Sequence, residues 1–523
     1  MITPEFLDIT AAIVPERLAI IFEDKRINYE QLAERVNRLA TALAGLGVKK
    51  GDTVSLIQVN THHCIETYFA VARLGAIYVP LNFRARPNEF EYMIHTADTK
   101  VVLAGERYVP IINGLKDKLP TVEHCIALDG PADGWLEYEK LVTSHEPDPP
   151  YTEVEDEATT VLMYTSGTTG NPKGVMLHHH SFVSYVMTNV SPVDMETEER
   201  NILTVPLYHI AGTQAVMAAI YGGRTLIMQR QFEPAEWMAL VQHEKVNRAM
   251  MVPTMLKQLM DHPDFHKYDL SSLKVITYGA APMPLEVITK ALEEFPGSQF
   301  INAFGQTETA ATVTALAPED HVIPPDLPEA ERVKRLKRLS SVGKALSDVE
   351  IKIVDEDGKD VPHDVVGEIV ARGSRVMSGY WKDEEKTKNT MRGGWIYTGD
   401  MGYQDEDGYF FLSGRASDLI IRAGENISPE EVEGVLNSHA AVEESAVFGI
   451  PDVTWGETIA AAVVLKSGQT ATEEELSEWC RKNLSSYKKP ERVVFINELP
   501  RNLLGKILRK DLRAQYGETK TPA

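Results

Sequence analysis

The chain has 523 residues, 43% hydrophobic and 25% charged, which is ordinary globular usage and excludes a largely disordered protein. Its formal net charge of −23 repels phosphate backbones, so nucleic acid is excluded as a partner and any nucleotide site must carry its own positive charge. Three cysteines, Cys64, Cys125 and Cys480, are too few and too scattered for a disulfide framework or a zinc module. They suit a reducing compartment, and with no basic-then-apolar leader and no spanning apolar run, a cytoplasmic protein is expected.

At about 100–200 residues per domain the length predicts roughly three to five structural units. LAIIF (18–22) reads as a strand. Leu32, Val36, Leu39, Leu43 and Leu46 then recur at helical spacing, with Gly47 as the stop. TVSLIQV (53–59) reads as a strand, CIETYFAVARLG (64–75) as a helix and AIYVPL (76–81) as a strand. This alternation predicts an α/β fold of helix-covered, mainly parallel sheets. The acidic, proline-rich stretch 146–157 reads as a surface connection, after which strands resume at 159–165 and 273–281. Beyond about residue 415 a smaller α+β pattern begins. Ser428-Pro429-Glu430-Glu431 reads as a helix start with a capping box. AVFGI, IAAAVVL and RVVFI read as strands around a helix at 473–484. The expected division is 1–416 and 417–523.

The strongest local signal follows the strand at 159–165. Thr165, Ser166, Gly167, Thr168, Thr169, Gly170 and Lys173 form a run of small hydroxyl residues and glycines ending in a cation. Such a run frees backbone N–H groups to wrap a polyphosphate, and the lysine supplies the charge an acidic chain needs. The order is not that of a Walker A loop, because Lys173 follows Pro172 and precedes Gly174.

With this loop the chain resembles the acyl-CoA synthetase branch of the adenylate-forming superfamily, which also holds carrier-protein adenylation domains and firefly-type luciferases. The resemblance covers essentially the whole chain, because further motifs fall in the family's order. It implies a large N-terminal domain for ATP and acyl substrate and a small mobile C-terminal domain. Gly279, Ala280, Ala281 and Pro282 match the adenine-binding strand end, where small residues admit a flat base. Asn302, Ala303, Phe304, Gly305, Gln306, Thr307 and Glu308 match the next motif. There the resemblance gives Thr307 the α-phosphate and Glu308 a Mg²⁺ ion, the usual setting of one carboxylate plus substrate phosphates. Asp400, in Tyr397-Thr-Gly-Asp400, matches the ribose carboxylate, and Arg415 the ribose and phosphate arginine. Lys506, in Pro500-Arg-Asn-Leu-Leu-Gly-Lys506, matches the catalytic lysine.

The implied chemistry is attack of a carboxylate on ATP to form an acyl-adenylate, then transfer to coenzyme A. The family's hinge falls at Ser417, where Asp or Lys is usual. Arg422, Ala423 and Gly424 match the segment brought to the pantetheine tunnel. Tyr208, His209 and Thr213 match the border of the acyl pocket, and no acidic residue is present there to pair with an amine. A neutral aliphatic or aromatic acid is therefore expected. His209 is read as orienting the carboxylate or gating the pocket, and Tyr278 as narrowing the pocket or packing the core. A second copy of the chain is a candidate partner. His178-His179-His180 is not read as a metal site, since adjacent residues point different ways. The basic run 332–338 reads as a solvated helix face rather than a coenzyme A or membrane contact. A carrier-protein ligase, a luciferase-like oxygenase and a non-catalytic nucleotide sensor are the competing readings.

Overall fold

The computed structural model describes residues 1–165, 171–324, 326–415, 418–422, 425–452, 455–501 and 507–517, with backbone alone at 425, 426, 456 and 486. Ser166, Gly167, Thr168, Thr169, Gly170, Ser417, Ala423, Gly424 and Lys506 lie outside the described residues. The chain divides into two compact units, 1–339 with 345–350 and 371–396, and 340–344 with 351–370 and 397–523.

In the first unit a helix at Pro4–Ile13 precedes the expected strand Leu18–Phe22, burying Phe6, Leu7 and Thr10. The helix Tyr29–Gly45 starts at a capping box: Asn28 Oδ1 accepts from Gln31 N at 2.8 Å and Gln31 Oε1 from Asn28 N at 3.0 Å. Leu32, Val36, Leu39 and Leu43 form its buried face, and Gly47 ends it at a φ of +85°. The expected strand 53–59 ends at Ile57, and the expected helix 64–75 spans His62–Arg73, two residues earlier. Its start is set by Thr61, which holds the extended N-cap conformation.

One sheet of this unit runs in the spatial order Ala311–Leu316, Gln299–Gln306, Val275–Gly279, Arg248–Met251, Arg200–Leu203, Thr225–Met228, Leu18–Phe22, Lys25–Asn28. Its interior pairs are parallel, and the pairs at both ends of this run are antiparallel. A second sheet runs Gly379–Tyr380, Lys173–His178, Thr159–Thr165, Ile77–Pro80, Thr53–Ile57, Val101–Ala104, His124–Ala127, Leu136–Glu137. Here Thr159–Thr165 and Lys173–His178 form an antiparallel hairpin beside parallel neighbours. Parallel strands covered on both faces read as continuous apolar runs, which is why these segments were legible.

In the second unit the apolar runs alternate between two cores. Val447, Ile459, Ala461 and Val463 join one cluster with Val432, Leu436 and Leu476, whereas Ala446, Phe448, Ala460 and Ala462 join another with Leu499 and Leu512. Both faces of this sheet are therefore buried, as successive side chains point to opposite sides. Ser428 does cap the helix Pro429–Asn437, accepting from Glu431 N at 3.4 Å. The reciprocal half of the expected box is not made, because the Glu431 carboxylate pairs with Lys488 at 2.7 Å instead. The helix expected at 473–484 spans Glu473–Asn483. Buried Arg509 joins this unit together, donating to Glu433 at 2.8 and 2.9 Å, to Glu430 at 3.2 Å and to Val447 O at 3.1 Å. Burial pushes the Glu433 carboxyl up to about 7 even with that guanidinium beside it.

Candidate active site

The residues on either side of the glycine-rich run pair as a hairpin. Thr165 pairs with Lys173 and Tyr164 with Gly174. The Tyr164 hydroxyl is anchored to Thr96 Oγ1 at 2.7 Å and Met93 O at 3.1 Å, and Gly174 O accepts from Trp381 N at 2.8 Å. A Cβ on Gly174 would lie 2.8 Å from Leu162 Cδ1 and 3.3 Å from Trp381 Cβ, so the strand and Trp381 close tightly around this glycine. Lys173 Nζ sits 5.8 Å from the Tyr380 ring. Partial burial, then the nearby Lys386 cation, hold its pKa below the ordinary lysine value.

Gly279 ends the strand Val275–Gly279, and Ala280 follows at a φ of +65°. A Cβ on Gly279 would lie 2.1 Å from Ala303 O, so the two strands close here only without a side chain. Asn302, Ala303, Phe304, Gly305 and Gln306 end the adjacent strand, and Thr307–Thr309 turn through one 3₁₀ turn. The next two residues, Ala310 and Ala311, have φ of +50° and +80°. Left-handed backbone in consecutive alanines is strained and persists where packing over-determines it, as at functional turns. This turn carries Glu308, whose Oε1 accepts from the Tyr380 hydroxyl at 3.0 Å and whose carbonyl accepts from Met377 N at 2.9 Å. Thr165, Lys173, Tyr380 and Glu308 all belong to the first unit. The carboxyl ends of parallel strands are where open α/β sheets place ligands.

The second unit carries the other nucleotide motif. Asp400 and Arg415 face each other across an antiparallel pair, with Arg415 Nε 2.6 Å from Asp400 Oδ1. Arg415 Nη1 also donates to Thr398 O at 3.3 Å, and Thr398 Oγ1 donates to Ile369 O at 2.7 Å. Gly399, at a φ of +71°, allows the turn before the carboxylate, and its N–H donates to Glu368 Oε1 at 2.9 Å. Arg422 is occupied within this unit, donating to Tyr487 O at 2.8 Å and Glu491 Oε1 at 3.0 Å. Residues 502–506 are bracketed by a β-bridge between Arg501 and Ile507, a Leu508 N–H to Pro500 O bond of 2.8 Å, and buried Arg509.

The segment bordering the expected acyl pocket lies between the strand Arg200–Leu203 and the helix Ile210–Tyr221. His209 is that helix's N-cap residue, with Nε2 buried and without a partner among the described residues. Burial alone lowers its pKa to about 4, so the imidazole is neutral at pH 7. The Tyr208 hydroxyl is likewise buried without a partner, its ring edge-on to Phe83 at 5.3 Å and 4.2 Å from His209. Gly212 allows the helix to start, since a Cβ would lie 2.5 Å from Pro206 O. Thr213 Oγ1 donates to Leu207 O at 3.2 Å. Tyr278 is fully buried; its hydroxyl donates to His321 Nε2 at 2.9 Å, because His321 Nδ1 donates to Ala317 O.

Tyr380, Trp381 and His321 were not singled out in the sequence, since lone aromatics and histidines carry no local signal. Of the three adjacent histidines, His178 bonds Ser181 Oγ, His179 bonds Thr3 and His180 faces Asp156. The basic run lies on the helix Glu329–Leu339, of which only Leu339 is buried. No helix among the described residues is long and apolar enough to cross a membrane.

Residues 7–381 match the AMP-binding enzyme family, and residues 431–506 match the AMP-binding enzyme C-terminal domain. The chain is 33% identical over 511 residues to an indoleacetate–CoA ligase of Aromatoleum aromaticum, covering 97% of each chain. It is 32% identical over 509 residues to the fatty acid–[acyl-carrier-protein] ligase ScoC of Streptomyces coeruleorubidus, covering 96% of this chain and 94% of the relative. The crystal structure of the anthranilate CoA ligase AuaEII in complex with anthranoyl-AMP superposes with a TM-score of 0.88 at 26% identity, covering 98% of this chain and 97% of that one.

Proposed function

Because the chain belongs to the family of AMP-binding enzymes, we infer that it is an AMP-forming acid–thiol ligase that joins a carboxylic acid to coenzyme A using ATP. One observation carries the reading: among the described residues, three nucleotide motifs sit at a strand end or turn held by specific bonds, at Thr165/Lys173, Glu308/Tyr380 and Asp400/Arg415.

The roles follow from chemistry. Thr165, the loop 166–170 and Lys173 grip the phosphates. Gly279–Pro282 and Asn302–Gln306 receive adenine, and Thr307 contacts the α-phosphate. Asp400 accepts from the ribose hydroxyls, with Arg415 orienting it. Glu308 suits Mg²⁺, because Tyr380 fixes its carboxylate by one oxygen and a carboxylate has lone pairs to spare for a hard cation. That ion, when bound, neutralises phosphate charge. An oxygen of the substrate carboxylate attacks the α-phosphorus, the bond to the β-phosphate oxygen breaks, and pyrophosphate leaves. Lys506 and Lys173 stabilise the charge that builds on the phosphoryl oxygens. The thiol sulfur, losing its proton, then attacks the acyl carbonyl, and AMP departs with the electron pair of the broken C–O bond.

Neutral His209 can hold the substrate carboxylate by a hydrogen bond without fixing it as an ion pair. Tyr208, Thr213 and Tyr278 complete a border without acidic groups, which suits an apolar aliphatic or aryl acid. Division at residues 416 and 417, with Ser417 as hinge, lets the small domain bring Arg422, Ala423 and Gly424 to the pantetheine in the second step. The unpaired cysteines suit the cytoplasm.

The two half-reactions test this. Lys506→Ala should lower pyrophosphate release by roughly 10²–10³-fold yet leave thioester formation from supplied acyl-adenylate intact. Gly424→Leu should do the reverse. Equal loss of both steps in either variant would contradict the assignment. Similarity to a carrier-protein ligase supports a second reading, in which the acceptor is a protein-bound pantetheine. Side-by-side transfer to free coenzyme A and to a pantetheinylated carrier protein separates them.

A further inference from the structure

His62, His63 and Glu139 lie outside every motif discussed above. His62 and His63 open the helix His62–Arg73, and Glu139 lies in the first turn of the helix Tyr138–Ser144. One ligand atom from each of the three lies within 4.8 Å of the other two. We propose that His62, His63 and Glu139 form a binding site for a divalent transition metal, with Zn²⁺ the best match, that clips these two helices together.

Four features of the cluster support the assignment. First, both ring nitrogens of His62 are buried and have no partner among the described residues, and the residue is 1% exposed. Buried polar groups in native proteins nearly always have a partner, so a fully orphaned imidazole calls for a ligand. Second, His63 presents one ring nitrogen to a hydroxyl and the other to Glu139. Its Nδ1 lies 3.3 Å from Thr61 Oγ1, and its Nε2 lies 3.9 Å from Glu139 Oε1. A hydroxyl that accepts from Nδ1 sets the tautomer whose Nε2 lone pair faces Glu139, the arrangement of a metal-binding histidine.

Third, two carboxylates lie beside the imidazoles. Glu66, which is fully buried, and the part-exposed Glu139 share one guanidinium, Arg35, which bonds Glu66 at 2.8 and 3.0 Å and Glu139 at 2.8 and 3.1 Å. Tyr138 adds a bond to Glu66 at 2.7 Å. Glu66 and Glu139 thus stand beside the two imidazoles, with Arg35 between the carboxylates and Lys25, Arg26 and Arg38 lining the adjoining cleft. Fourth, the site has an approach, a surface cleft of about 520 Å³ to which His62 and Arg35 contribute walls.

Two imidazoles and one carboxylate are a donor set that suits Zn²⁺, which takes ligands at about 2.0–2.2 Å in tetrahedral array with water completing the shell. Ligand atoms around such an ion lie roughly 3.4 Å apart, so side-chain shifts of about an ångström close the site.

The test uses the full-length protein, stripped with a chelator and titrated with Zn²⁺ against a chromophoric indicator. One equivalent should bind, and Zn²⁺ should raise the melting temperature. Co²⁺ should give visible ligand-field bands that Zn²⁺ displaces. His62→Gln and Glu139→Gln should each weaken Zn²⁺ binding at least tenfold, by comparison with the roughly 10–100-fold cost of losing even an outer-shell partner. The Glu139 side chain is 40% exposed, so E139Q keeps the test available if the buried His62 variant does not fold. His178→Gln should bind as the parent does. Binding of less than one equivalent by the parent, or unchanged affinity in E139Q, would overturn the site. So would Zn²⁺ binding that disappears in Glu308→Gln rather than in these variants, since the ion would then sit at the nucleotide motif.

Discussion

Tyr380 and Tyr208 are both aromatic hydroxyls at the candidate site, and they differ in one respect. The Tyr380 hydroxyl bonds the Glu308 carboxylate at 3.0 Å, and the same pattern recurs where Arg415 meets Asp400 at 2.6 Å. The Tyr208 hydroxyl and the neighbouring His209 Nε2 are buried with no partner among the described residues. Groups assigned to the nucleotide are thus locked in place by the protein itself. Tyr208 and His209, two of the groups assigned to the acyl substrate, are left waiting, whereas Thr213 and Tyr278 are bonded within the protein, and each buried unsatisfied group forgoes about 1–3 kcal/mol of stability. Enzymes commonly forgo stability at the part of a site that must recognise a particular ligand. The contrast explains why the shared chemistry is readable from motifs while the identity of the acid is not.

The largest effect that could break this comparison is on the locked side. Glu308→Gln should reduce pyrophosphate release by roughly 10²–10³-fold and shift its Mg²⁺ dependence upward, read in a coupled pyrophosphate assay across Mg²⁺ concentrations. A normal Mg²⁺ profile would remove Glu308 from the metal role.

Next is Gly212→Ala. The added Cβ meets the Pro206 carbonyl oxygen at 2.5 Å, so the turn carrying His209 must shift. A loss of about 1–3 kcal/mol in denaturant unfolding is expected, with a raised KM for the acid and little change in that for ATP. Equal changes in both would show that the two sides are not built separately.

Acidification sharpens the waiting side. His209 and His179 have folded-state pKa values of about 4 and about 3, lowered chiefly by burial from 6.5. Between those values and 6.5 the unfolded chain binds protons that the folded chain does not. Their stabilisation is therefore complete above pH 6.5 and falls as pH drops toward 4, at roughly 1.4 kcal/mol per pH unit for each histidine. Denaturant melts at successive pH values read this, and His179→Gln should flatten the slope by one histidine's share.

The smallest effects are the most diagnostic. Tyr380→Phe removes a made bond and should destabilise by about 1 kcal/mol. Tyr208→Phe removes an unmade one and should be neutral or raise the melting temperature. A melting temperature that falls equally in both would erase the distinction between the two regions.

Much of the architecture was legible before any coordinates. The helix face of Leu32, Val36, Leu39 and Leu43, the strands at AVFGI and IAAAVVL, and the strand that ends at Thr165 are all local patterns. Periodicity and turn chemistry act over a few residues, so one sequence displays them. The reciprocal capping box at Ser428 failed for a non-local reason: Lys488, distant in sequence, captures the Glu431 carboxylate.

What the sequence by itself determined was the order of motifs, the alternation of strands and helices, and hence the family. Only the tertiary structure decided that Tyr380 holds Glu308, that Tyr278 binds His321, and that His62 stands buried beside His63 and Glu139. Each of these joins residues from separate elements, and such neighbours are chosen by sheet register and helix packing, which no short window of residues encodes.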